Sequence, residues 1–133
     1  MPKQSAIDTD FTFEFLDKPR RARLTARRYL HGGGAYVGVE VWDDETGVYE
    51  PWVDFSCNVS GAVLRDPVYD IIVNHKVDGS LFDAVAATGL IEPEPYTQVR
   101  SGFVRMPVHA MTAVGREWFD AAVARTESGA DVI

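Results

Sequence analysis

The stretch from Ala35 to Val59 constrains the fold more than any other, because it spells out a β-hairpin in three consecutive parts. Ala35 to Trp42 (AYVGVEVW) is dense in β-branched and aromatic residues, which suit a pleated, half-buried surface. Asp43-Asp44-Glu45-Thr46-Gly47 follows as a turn, opened by short acids and closed by a glycine where a positive φ is expected. Val48 to Val59 then reads as the return strand. Proline has no amide hydrogen for a ladder, so Pro51 puts Tyr49-Glu50-Pro51 at an edge or a bulge. A chain built on this hairpin is committed to an antiparallel sheet.

Other segments extend it. Phe11-Thr12-Phe13-Glu14-Phe15 alternates apolar and polar residues, a strand with its aromatics on one face, ended by Asp17-Lys18-Pro19. Arg20 to Leu30 admits two readings. As a helix it sets Ala22, Ala26 and Tyr29 on one side; as a strand it alternates Ala22, Leu24, Ala26 and Arg28 against Arg21, Arg23, Thr25 and Arg27. The strand is favoured because His31-Gly32-Gly33-Gly34 makes an easy hairpin turn into Ala35. Val68 to Val73 and Val99 to Met111 are expected as further strands, the latter with Gly102 and Pro107 at bulge or edge points. Ser80 is expected to cap a helix over Leu81–Thr88, with Asp83 in its first turn and Gly89-Leu90 as its exit. Arg116 to Arg125 reads as a final helix, with Trp118, Ala122 and Arg125 on one face and Phe119 and Val123 beside it.

The expected fold is therefore α+β: one antiparallel meander of about five strands, covered by a short central helix and a C-terminal helix. At 133 residues and 46% hydrophobic, the chain has the size and apolar content of a single domain over 1–133, with 1–10 and 127–133 flexible. It has one cysteine, Cys57, no apolar leader and no run long enough to span a membrane, which together point to the cytoplasm. Asn58-Val59-Ser60 matches a glycosylation acceptor, a match with no meaning in that compartment.

No catalytic constellation emerges. His31-Gly32-Gly33-Gly34 is like the oxyanion loop of some esterases, but such a loop needs Gly-x-Ser-x-Gly, and Ser60-Gly61 and Ser101-Gly102 both lack the leading glycine. His31, His75 and His109 lie far apart without metal-ligand spacing, and Cys57 in an alternating strand reads as a small buried hydrophobe. Asp43-Asp44-Glu45 lacks the pattern of a calcium loop, and there is no phosphate loop or dinucleotide fingerprint. No enzyme activity, metal or cofactor is expected.

Charge layout carries the remaining signal. The net charge is −7, yet Arg20, Arg21, Arg23, Arg27 and Arg28 crowd one acid-free strip, while Tyr29 to Val99 holds twelve acids against Arg65 and Lys76. Three surfaces follow. The arginine strip, together with Tyr49 and Trp52, is a candidate binding surface, since arginine forks carboxylates and phosphates and all three residue types are common at hot spots. Nucleic acid is a weaker expectation for the strip, because Tyr29 is its only aromatic. Glu40, Asp43, Asp44, Glu45, Glu50 and Asp54 form a candidate acidic face, expected to imitate DNA phosphates by lying on one face at phosphate-like spacing.

The hairpin AYVGVEVWDDETGVYEPW, the segment DGSLFDAVAATGLIEP and the strand SGFVRMPVHAM together resemble a family of short bacterial proteins of unknown function encoded on integrative elements, plasmids and phages. The resemblance covers the centre of the chain and implies a setting only: bacterial cytoplasm, mobile DNA, an accessory role. No site residue comes with it. The function expected is thus a non-catalytic accessory protein that binds a protein partner, with an acidic DNA mimic or a nucleic-acid contact through the arginine strip as alternatives.

Overall fold

The computed structural model describes Ile7 and residues 10–127; the expected flexible ends fall largely outside the described residues. The elements run β1 (Asp10–Phe15), β2 (Lys18–Arg28), β3 (Ala35–Asp43), β4 (Val48–Asp54), β5 (Ile71–Ile72), α1 (Gly79–Ala87), β6 (Thr97–Ser101), β7 (Val104–His109) and α2 (Ala113–Glu127). The class is α+β, as expected, but the strands form two antiparallel sheets, a four-stranded meander β1-β2-β3-β4 and a three-stranded sheet β5-β7-β6.

The reasons lie in three local departures from the expected elements. Val68–Asp70 does not extend, because Asp66 gathers a turn: its carbonyl accepts the amides of Tyr69 (3.2 Å) and Asp70 (2.9 Å), and its carboxylate accepts that of Val68 (3.1 Å). Gly102, at φ +62°, is a hairpin turn and not a bulge, so the expected last strand folds back on itself as β6 and β7. The return strand of the first hairpin stops at Asp54; Phe55 and Ser56 then peel away, and Ser56 bridges to Val73 at the start of the second sheet.

The first hairpin is otherwise as read. The Gly47 amide donates to Asp43 (2.8 Å) with φ +72°, and Pro51 sits on the edge strand β4 beside a bulge at Val39/Glu40. Residues 20–28 are strand, the glycine loop turns with Gly32 and Gly33 at positive φ, and Tyr29 closes it onto Gly34. The Pro19 expectation is corrected. The turn is Leu16-Asp17, both at positive φ, and Pro19 lies within β2; the β2–β3 ladder starts only at Ala22, so the missing donor costs that ladder nothing.

The N-cap of α1 is also corrected. Asp78 accepts the Leu81 amide at 2.8 Å, whereas the Ser80 hydroxyl accepts the Glu14 amide and ties α1 to β1. Gly89, at φ +91°, ends the helix, and Leu90 packs fully buried.

Alternation decides what is buried. Phe13, Ala22, Leu24, Ala26, Val37, Val39 and Val41 face inward, where α1 (Leu81, Val85) and α2 (Trp118, Phe119, Ala122, Val123) close over them; Arg125 is exposed. A smaller cluster of Ile72, Met106 and Val108 fills the second sheet beneath the loop after Cys57. No helix among the described residues is long and apolar enough to cross a membrane.

Candidate functional site

Both helices pack on the inner side of the four-stranded sheet, so its outer face is left uncovered among the described residues. Register dictates what stands there. Arg27 is opposite Tyr36, Thr25 opposite Gly38, Arg23 opposite Glu40, and Trp42 opposite Tyr49. The result is a layer of guanidinium groups over aromatic rings. Arg23 lies 4.1 Å from the Tyr49 ring centre, Arg21 5.3 Å from Trp42 and 5.7 Å from Tyr49, and Arg27 5.2 Å from Tyr36. Trp42 and Tyr49 meet edge to face at 5.3 Å.

Two acids complete the face. Arg23 Nε donates to Glu40 Oε1 at 2.8 Å, a half-exposed pair worth about 0–1 kcal/mol. The Tyr36 hydroxyl donates to Asp54 Oδ1 at 2.7 Å after crossing Gly38; a Cβ there would come within 2.5 Å of that hydroxyl. Gly38 is thus the gap through which β3 and β4 are tied. Beside it a groove of about 370 Å³ opens between the β4 edge and the turn after Asn74, lined by Thr25, Arg27, Tyr36, Trp52, Asp54 and Lys76 among others.

Burial, reinforced by the bond to Asp54, pushes the Tyr36 phenol from its ordinary 10.0 up to about 12. The same direction holds for Tyr29 (burial) and Tyr69 (chiefly its bond to Asp120). Because the folded-state value lies above the unfolded one, Tyr36 contributes stability that is complete below about pH 10 and fades as pH rises through about 12. An ultraviolet titration is expected to show fewer phenols ionising near pH 10 than in the unfolded chain, and Tyr36→Phe is expected to remove the latest step. A folded protein whose tyrosines all ionise together near pH 10 would contradict this geometry.

Of the seven residues singled out for binding, the structure places Arg21, Arg23, Arg27 and Tyr49 together on the outer face. Arg20 points inward, opposite Phe13, with its Nε buried and unpartnered among the described residues. Arg28 also points inward and holds the molecule together (below). Trp52 is the extra residue of the bulge; it lines the groove while packing edge-on against Phe15 (4.9 Å) and Phe13 (5.9 Å). Tyr36 and Trp42 were missed. The signal was their parity in AYVGVEVW: they alternate with the buried valines, and therefore stand on the side opposite to them.

The six acids divide. Glu40 and Asp54 lie on the outer face, already engaged by Arg23 and Tyr36. Asp43, Asp44 and Glu45 build the turn, with Asp43 Oδ1 accepting the Glu45 amide and Asp44 Oδ1 accepting from Trp42 Nε1. Glu50 stands opposite the inward-facing Val41, on the other side of the strand. They do not share one face.

His109 is buried, with Nδ1 2.8 Å from the Glu92 carbonyl oxygen, and its ring is 5.1 Å from that of Phe82. Cys57 sits 3.3 Å from the Met106 sulfur, and burial pushes its thiol pKa up, away from a reactive thiolate. Among the described residues no cluster of three His, Cys, Asp or Glu side chains is placed to hold a metal ion. Comparison with protein-family models, with curated proteins and with solved structures gives no significant match.

Proposed function

We propose that this chain is a non-catalytic accessory protein that binds another protein through the outer face of the four-stranded sheet. One observation carries the reading: Arg21, Arg23 and Arg27 are stacked on Tyr36, Trp42 and Tyr49 across three strands of an uncovered face. Arginine, tyrosine and tryptophan are the residue types in which interface energy concentrates. Stacking holds the guanidinium planes in place, so less side-chain entropy is lost when a partner docks. The face is of mixed charge, since Glu40 and Asp54 stand among the arginines, and that suits a protein partner better than a uniformly charged polymer. Action in the bacterial cytoplasm, in the service of a mobile element, is the setting the family resemblance implies.

The test uses a photo-crosslinking amino acid at Thr25, in the middle of the face. With otherwise native protein in a bacterial lysate, one partner band is expected. Arg23→Glu with Arg27→Glu is expected to lower its yield at least tenfold, a loss of about 1.4 kcal/mol or more. Equal yields from the native and the doubly reversed protein would remove the face from consideration, as would a nuclease-sensitive band.

A further inference from the structure

We infer a second binding site, distinct from that face, at the tip of the β6–β7 hairpin, and assign it to single-stranded nucleic acid. Three observations converge there. Phe103 follows Gly102 in the turn and is fully exposed (106%), the most solvent-facing large apolar side chain described. Arg100 and Arg105 stand directly opposite each other on the outward face of the ribbon, exposed and without an ion pair among the described residues. Like charges in that position repel, and an anion held between them removes the repulsion. On the inward face, beside Ser101 and Val104, lies a pocket of about 210 Å³ floored by Met106 and rimmed by Asn58 and His75.

These are the separate parts of a nucleotide site: guanidinium forks for phosphate, an open ring for stacking, and an apolar slot with a polar rim for a base edge. Their placement selects the ligand. The arginines and the pocket lie on opposite faces of the ribbon with Phe103 at the apex between them, so a flexible strand draped over the apex meets all three. A flat membrane would meet the apex alone, with one phenyl ring and little else to bury. Charge agrees. Thr97 to Thr112 contains no acid in a chain of net charge −7, so the local field at this tip favours the approach of a polyanion.

The probe is a fluorescein-labelled oligothymidylate, followed by polarisation from about 20 to about 200 mM salt. With two phosphates neutralised, log affinity should fall with log salt at a slope of about −1.4. Phe103→Ala should weaken binding about tenfold. Arg100→Ala with Arg105→Ala should flatten the slope towards zero. All three side chains are solvent-exposed, so these variants keep the fold. Arg23→Glu with Arg27→Glu should leave the salt slope and the effect of Phe103→Ala unchanged, which separates this site from the outer face. The inference is overturned by no binding at the lowest salt, by equal affinity in Phe103→Ala, or by Phe103-dependent binding to phosphatidylserine vesicles with none to the oligonucleotide.

Discussion

Gly115→Ala is expected to lower the melting temperature by roughly 10 °C, although alanine is the better helix former by up to about 1 kcal/mol. Gly115 lies in the first turn of α2, where the helix starts against the exit of α1. A Cβ there would stand 3.0 Å from both the Leu90 carbonyl carbon and Met111 Cγ, and closer still to the Leu90 carbonyl oxygen. The oxygen cannot move aside. It accepts the Thr112 amide at 3.0 Å, while the Thr112 hydroxyl donates to the Gly89 carbonyl and accepts the Gly115 amide at 2.9 Å. Thr112 is thus both the N-cap of α2 and the clasp that holds the two helix ends together. Inserting a methyl group forces α2 off the sheet, and with it Trp118 and Phe119. The cost is about 3 kcal/mol from overpacking, less the helix-propensity gain. Thermal melting of the variant beside the exposed Ala121→Gly checks it. The latter should lose about 1 kcal/mol at most, and a Gly115→Ala protein as stable as the parent would mean that this helix contact is not tight.

That contact shows which part of the fold was open to sequence reasoning. Strands, turns and the exit of α1 were legible because their signals are local: alternation in Phe11–Phe15 and Ala35–Trp42, Asp43 with Gly47 in one turn, Gly89 before Leu90. Gly115 had no such signal. Its role depends on Leu90, a distant residue that comes near only when both helices dock. The division into two sheets was hidden for the same reason. VYDIIV has strand propensity, but the Asp66 turn takes its first half; Ile71 and Ile72 pair with His109 and Val108 of β7, and Val73 bridges to Ser56. Ser80 and Asp78 are both good caps, and the choice fell to Asp78 because the Ser80 hydroxyl is taken by Glu14 on β1.

The candidate site was half legible. Parity alone put Arg21, Arg23 and Arg27 on one side of a strand, but the aromatics that give the face its character come from β3 and β4. They come together only through register: a shift of one residue would turn Tyr36 and Trp42 inward and Val37 and Val41 out. The nucleotide-binding hairpin tip proposed above was wholly masked. VRSGFVRM looks like one strand with a flexible glycine until Gly102 is seen at positive φ, folding Arg100 onto Arg105.

The sharpest consequence of register concerns Arg28, whose loss should destabilise the fold by about 2–4 kcal/mol, whereas Arg21→Ala, Arg23→Ala and Arg27→Ala should each cost about 1 kcal/mol or less. In sequence all four belong to one strip. In the fold Arg28 stands opposite Ala35, on the core side. Its guanidinium lies 4.8 Å from the Phe119 ring centre and 5.3 Å from that of Tyr69. It donates to the Val68 carbonyl and, at 3.3 Å, to that of Gly33, with Asp120 at 3.7 Å. One planar fork thereby ties β2, the glycine turn, the Asp66–Asp70 loop and α2. Removing it releases the Val68 and Gly33 carbonyls together and opens a gap beside the fully buried Phe119, costs that a surface arginine does not carry. Arg28→Lys should recover little, because an ammonium has no flat face to lay against two rings and a single point from which to reach both carbonyls. Urea denaturation gives the four stabilities. Hydrogen exchange gives the place: the Tyr69 and Asp70 amides should lose protection first in Arg28→Ala, while exchange in β2 and β3 follows global stability. If Arg28→Ala proved as mild as Arg27→Ala, Arg28 would rejoin the surface strip, and the binding face would have to be redrawn to include it.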